Sequence, residues 1–207
     1  MLGLDLPTLL FRAIALLVAV PIHEFAHAYV ADRLGDSTPR GQGRLTLNPL
    51  AHLDPLGTLL IVLVGFGWAK PVQINPMNFQ NWRRDSVMVA AAGPLANVTL
   101  LFVLGVPYKL GLLEFGPFGG TAVSQLLLWA MWINAMLAVF NLLPIPPLDG
   151  SKILIGFLPP AQAISYARIQ PYGLLILLLL VLTNALSVLL ITPMRWLVVQ
   201  AAGRGFF

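Results

Sequence analysis

The sequence predicts an all-α polytopic membrane protein: about four transmembrane helices, one re-entrant or interfacial segment and a short membrane-associated β-hairpin region. Three observations carry this expectation. Of 207 residues, 58% are hydrophobic and only 10% are charged, whereas a soluble globular domain carries roughly 25% charged residues. Apolar runs recur near residues 6–31, 86–108, 123–143 and 172–191, and about 20 such residues suffice to cross a bilayer. The stretches between them are polar and rich in Gly and Pro, which is loop chemistry. The length suits one membrane-embedded domain over 1–207.

The first run, about 6–31, forms a helix roughly 35–40 Å long at about 1.5 Å per residue. Arg12 near its start is expected to snorkel to the nearer interface. The run lacks a basic n-region and a small-residue cleavage site, so it reads as retained rather than as a signal peptide. Asp32 to Asp54 is an aqueous loop. Residues 55–69, PLGTLLIVLVGFGWA, are apolar but short and glycine-interrupted, hence re-entrant or interfacial. Lys70 to Asp85 returns to polar loop, and its alternation around Val72 to Asn75 suggests a short strand or hairpin. The second span, 86–108, carries Ala90, Ala91, Ala92, Gly93 and Ala96, small residues that admit a neighbouring helix closely. The third, 123–143, contains Asn134 and Asn141 and is stopped by Pro144, Pro146 and Pro147. Residues 151–170 read as a partly amphipathic surface helix, 172–191 as the fourth span, and the remainder as a tail with Arg195 and Arg204.

With the amino terminus outside, the inner segments hold Arg33, Arg40, Arg44, Lys70, Arg83, Arg84, Lys152 and Arg168. Arg12, Lys109, Arg195 and Arg204 stay outside. That asymmetry obeys the positive-inside rule with both termini outside. No Lys/Arg cluster exceeds Arg83-Arg84, so no nucleic-acid partner is expected. The chain has no cysteine, so a metal must be held by nitrogen and oxygen.

The chemistry concentrates in His23, Glu24 and His27. On a helix the two histidines lie one turn apart on one face, where both imidazoles reach one ion, with Glu24 placed to take a proton from its water. Ionisable groups inside a span are costly and signal function. Two imidazoles without sulfur suit zinc, although spacing alone leaves iron and cobalt open. A catalytic zinc takes three protein ligands and leaves a position for water. The third ligand must come from elsewhere. Asp149, at the break after the third span, is the choice; as part of Leu-Asp-Gly it is equally good turn chemistry. His52 and Asp54 compete, with a loop-stabilising role the stronger reading for that pair.

Five separated stretches then carry a family resemblance: HEFAHA (23–28), GRLTLNPLAHLDPLGT (43–58), GWAKPVQINP (67–76), AGPLAN (92–97) and NLLPIPPLDG (141–150). In this order, over about 150 residues, the chain resembles the site-2 proteases, the intramembrane zinc metalloproteases. Ala26, where many members have Gly, is a small departure. The resemblance implies one zinc per chain held by His23, His27 and Asp149, with Glu24 as catalytic acid–base. It further implies that Asn141 aids the oxyanion or positions substrate, that Asn97 lies close to the active centre, and that residues 67–76 engage the substrate backbone. Asn97 and Asn141 could instead serve helix packing, the reading preferred for Asn134 and Asn184.

The implied function is hydrolysis of peptide bonds within or near transmembrane segments of other membrane proteins, in regulated intramembrane proteolysis. The expected setting is a prokaryotic cell membrane with the active site towards the cytoplasm; partners are the bilayer and transmembrane substrates. Loops of this length do not accommodate a PDZ domain, nor do the residues after Gly150 accommodate paired CBS domains. The alternative is a membrane metal-binding or transport protein without proteolytic activity. A third possibility, an inactive relative that binds membrane segments, is disfavoured by the intact Glu24.

Overall fold

The computed structural model describes residues 5–64, 69–113 and 121–203. Its helices are α1 (Leu6–Arg33), the single turns α2 (Thr38–Gly41) and α3 (Pro49–His52), α4 (Pro55–Val64), α5 (Trp82–Lys109), α6 (Ala122–Asn141), α7 (Asp149–Phe157), α8 (Pro160–Ala167), α9 (Gly173–Leu182) and α10 (Ala185–Ala202). Short 3-10 turns occupy Pro76–Asn78 and Gln170–Tyr172. Helices α1, α5 and α6 pack on one another, α10 lies against α5 and α6, and α7 docks on α5. Without a hydrophobic drive between helices in lipid, close packing must hold the bundle. Ala15, Leu16, Ala19 and Val20 of α1 therefore bury against Ile133 of α6. Leu101, Tyr108, Met131, Ala135, Val198 and Ala201 form a second core between α5, α6 and α10.

Two expectations are corrected. The first is the span count. Among the described residues, five stretches are long and apolar enough to cross a membrane where four were expected: Leu6–Arg33, Trp82–Lys109, Ala122–Asn141, Pro160–Leu182 and Ala185–Ala202. The run read as one span over 172–191 is interrupted. The Thr183 hydroxyl turns back onto the Leu179 carbonyl, and Asn184 adopts a left-handed φ of 58°, a conformation asparagine tolerates better than most residues. Helix α10 then continues through Pro193 and Arg195, residues of the expected tail, to Ala202. Residues 160–170, read as a surface helix, fall in the stretch Pro160–Leu182. A four-crossing parity with both termini outside no longer follows from the count.

The second correction concerns the β-hairpin. No strand occurs among the described residues. Residues 69–75 run without helix, but their amides find other partners than a second strand. Lys70 N–H donates to the His52 carbonyl at 2.9 Å, Val72 N–H to Glu24 Oε2 at 3.1 Å and Asn75 N–H to Asp36 Oδ2 at 2.7 Å. A segment whose donors are taken by loop and side-chain acceptors has no ladder left to build. Of the segment 55–69, α4 is a helix of 10 residues, about 15 Å long; residues 65–68 lie outside the described residues.

Arg12 also departs from expectation. Instead of snorkelling it is 7% exposed, with its guanidinium carbon 4.2 Å from the Trp129 ring centroid, a cation–π contact that ties α1 to α6.

Candidate active site

Helix α1 carries His23 and His27 on its buried face, 5% and 6% exposed. Their Nε2 atoms are 3.1 Å apart, and the rings meet edge to face at 84°. Each outer nitrogen is spoken for. His27 Nδ1 lies 2.7 Å from the Val89 carbonyl, which can only accept, so the proton sits on Nδ1. His23 Nδ1 lies 2.6 Å from Asn97 Oδ1. The Asn97 amide nitrogen is turned away, donating to Asn134 Oδ1 at 2.8 Å and to the Ala19 carbonyl at 3.3 Å. Both histidines therefore present a bare Nε2 lone pair inward, the arrangement that outer partners impose on metal-binding imidazoles.

The third atom comes from across the fold. Pro144 to Leu148 break the chain after α6, and Asp149 opens α7. Its Oδ2 reaches 3.1 Å from His27 Nε2 and 3.3 Å from His23 Nε2, while Oδ1 accepts from Lys152 Nζ at 3.1 Å. Burial opposes ionisation of Asp149, and the adjacent Lys152 ammonium favours it.

This donor set fits zinc. Two nitrogens and one oxygen, none carrying a proton towards the others, converge on one point and would repel one another without a cation. Bonds of about 2.0–2.1 Å at tetrahedral angles separate donor atoms by about 3.3 Å, close to the 3.1–3.3 Å found here. The neighbouring helix leaves room: a Cβ added at Gly93 of α5 would lie 2.4 Å from His27 Nε2 and 2.7 Å from His23 Nε2. At this position a side chain would fill the cradle.

Glu24 lies beside this cluster on a cavity of about 440 Å³ that also reaches His23, His27, Asn141 and Asp149. Asn141 sits on the wall with its Nδ2 donating to Leu137 O at 3.0 Å, which leaves its second N–H and its Oδ1 for other partners. His52 and Asp54 are not brought to the cluster. His52 is fully buried and bonds the Thr46 carbonyl, and Asp54 accepts from Gly57 N–H at the start of α4.

Sequence reasoning missed two contributions. Asn134 does bond between helices, but the bond it accepts comes from Asn97, so it is the second link of the chain that orients His23. Its placement seven residues before Asn141, two helical turns on one face, was an available signal. Leu186 and Leu190 of α10 line the cavity, and no motif marks them.

Comparison with known proteins points the same way. The family model described as Peptidase family M50 matches residues 114–183. The chain is 41% identical over 179 residues, covering 84% of itself and 80% of the relative, to "Putative zinc metalloprotease YwhC" of Bacillus subtilis. It is 33% identical over 177 residues, 83% of itself and 66% of the relative, to a protein of the same description, Rip2 of Mycolicibacterium smegmatis. Rip2 of Mycobacterium tuberculosis is 32% identical over 192 residues, 87% of this chain and 70% of that one. No solved structure matches the chain. This multi-pass membrane protein is a zinc metallopeptidase, and it belongs to peptidase family M50, the site-2 proteases.

Proposed function

We propose that the protein is an intramembrane endopeptidase that hydrolyses peptide bonds within or near transmembrane segments of other membrane proteins, in regulated intramembrane proteolysis. The observation that carries this is the position of the donor triad. His23 and His27 lie within a candidate span, buried among helices, and share with Glu24 a cavity whose further wall is apolar: Met136, Leu137, Phe140, Leu186 and Leu190. Such a cavity suits the side chains of a membrane segment.

His23, His27 and Asp149 hold the zinc, with Asn97 and Asn134 fixing His23. Bound zinc supplies Lewis-acid polarisation of the scissile carbonyl and acidifies water. Glu24 takes the proton as the water oxygen bonds to the carbonyl carbon, then returns it to the amine nitrogen as the C–N bond breaks. The free N–H of Asn141 donates to the developing oxyanion. A helical substrate hides its carbonyls in internal bonds and must unwind first. Residues 69–75 border the cavity through Ala69, Pro71, Val72 and Ile74, and the unwound segment lies against them. The basic residues around α2, α3 and the start of α5 support an orientation with this end of the bundle at the cytoplasmic face of a prokaryotic cell membrane. Helix α4 enters the membrane only part way from that face, within one domain spanning 1–207.

The test is cleavage of a model single-span substrate by purified protein in detergent, with zinc content measured alongside. Wild type cleaves, and Glu24→Gln holds one zinc without cleaving. Cleavage by zinc-loaded Glu24→Gln, or none by zinc-loaded wild type over a broad substrate panel, overturns the proposal.

A further inference from the structure

Helix α1 is followed by a tight turn, Leu34-Gly35-Asp36. Gly35 has φ +108°, and a Cβ there would lie 3.2 Å from the Asn78 carbonyl, so the turn and the segment ending at Asn78 touch backbone to backbone. Asp36 is wholly buried, and its carboxylate is saturated. Oδ1 accepts from Thr38 N–H at 3.1 Å, Thr38 Oγ1 at 2.6 Å and Asn78 Nδ2 at 2.7 Å. Oδ2 accepts from Asn75 N–H at 2.7 Å. Burial opposes its charge, but these donors prevail and keep the carboxyl below its ordinary range.

The same segment meets α1 a second time, three residues earlier, where Val72 N–H donates to Glu24 Oε2 at 3.1 Å. Two carboxylates belonging to α1 and its turn thus grip two amides of one extended stretch. The other end of that stretch is clamped as well: Lys70 N–H bonds the His52 carbonyl, and Arg44 Nη1 reaches the Lys70 carbonyl at 3.3 Å. With Lys70 and Asn75 both fixed, the position of the Val72 amide has little freedom.

We infer that Asp36 is a positioning residue for Glu24: by holding Asn75 it sets the register in which the Val72 amide meets the Glu24 carboxylate. This rests on Glu24 being the acid–base. Without Asp36 the segment slides, the Val72 bond is lost and Glu24 samples orientations that cannot take the proton. Loss of an outer partner of this kind costs about 10–100-fold in activity. Zinc binding is spared, because the His23 and His27 partners lie on α5.

The experiment is a double-mutant cycle read in kcat, KM and zinc per chain on purified protein, with Asp36→Ala, Val72→Pro and the pair. Proline removes the Val72 N–H while suiting an extended stretch. Each single variant should keep one zinc, lose about tenfold in kcat and change KM less than about twofold. Because both act through one hydrogen bond, the double variant should be about as slow as the worse single. A multiplicative loss of about a hundredfold, or no loss in Asp36→Ala, overturns the inference. Should Asp36→Ala fail to fold, Asp36→Asn, which preserves shape and one acceptor, is measured in its place. If that variant also fails to fold or loses zinc, Asp36 serves the fold alone and the inference is overturned. Glu24→Gln in the same assay separates the two failures: if it still cleaves, the reading of Glu24 is wrong; if it is inert while the cycle is additive, only the role of Asp36 is.

Discussion

At the scale of single residues the site is governed by which nitrogen of each histidine is free. The Val89 carbonyl and Asn97 Oδ1 take the Nδ1 protons, and everything inward of them is lone pair. Gly93 matters for the complementary reason: it is the wall with nothing on it. The motif Ala-Gly-Pro suggests a helix-packing glycine, and Gly93 is one, but what packs against it is the Nε2 edge of both imidazoles. Gly93→Ala should therefore abolish stoichiometric zinc binding while leaving the helices intact. Metal analysis and far-ultraviolet circular dichroism on the purified variant check this together. A variant that keeps one zinc per chain would show that the imidazoles can retreat from a methyl group.

At the scale of elements, the question is what holds Asp149 opposite a helix more than a hundred residues earlier. Helix α7 is only 9 residues long, too short to be stable alone, so its docking on α5 does the work. Arg83 at the start of α5 bonds the carbonyls of Ile155 and Leu158 at the end of α7. These are the orphan acceptors that every helix end leaves. Arg83→Ala should cost roughly 1–3 kcal/mol, the usual loss for a hydrogen bond from a charged donor, and should weaken zinc binding by loosening Asp149. A thermal melt with a chelator-competition titration reads both effects. Lys152 neighbours Asp149 more closely, yet it acts on one oxygen and does not anchor the helix.

Elements also show what could be read in advance. Helices α1, α5 and α6 were legible because their apolar runs are long and end in clear punctuation. His23, Glu24 and His27 stood out as candidates because they are polar residues inside such a run, whereas Asp149, outside any run, was equally good turn chemistry by spacing. The break at Thr183-Asn184 was not, since two polar residues in an apolar run resemble tolerated spans as much as a turn. The absence of a hairpin was not legible either. Alternation around Val72 to Asn75 reports an extended backbone correctly, but it cannot say whether the partner is a strand or a pair of carboxylates. Asp36 shows why: a Gly-Asp pair reads as turn chemistry, and only the fold brings Asn75 to it.

At the scale of the whole molecule, the packing fixes which elements share the end of the bundle nearest His23 and His27. The carboxyl end of α1, the turns α2 and α3 and the start of α5 lie together, while Tyr108 and Lys109 lie a helix length away at the other end of α5. The final turns of α10 belong with the latter, because Val198 and Ala201 pack against Leu101 and Tyr108. The chain contains no cysteine, so a single introduced thiol reports its own side of the membrane without background. Gln42, Lys109 and Gln200 are all exposed. In right-side-out cells, a membrane-impermeant maleimide should label Lys109→Cys and Gln200→Cys and spare Gln42→Cys, which should react only after the membrane is opened. The opposite pattern would turn the zinc site to the outer face and overturn the cytoplasmic orientation. Labelling of Gln42→Cys and Lys109→Cys from the same side would contradict α5 as a complete crossing.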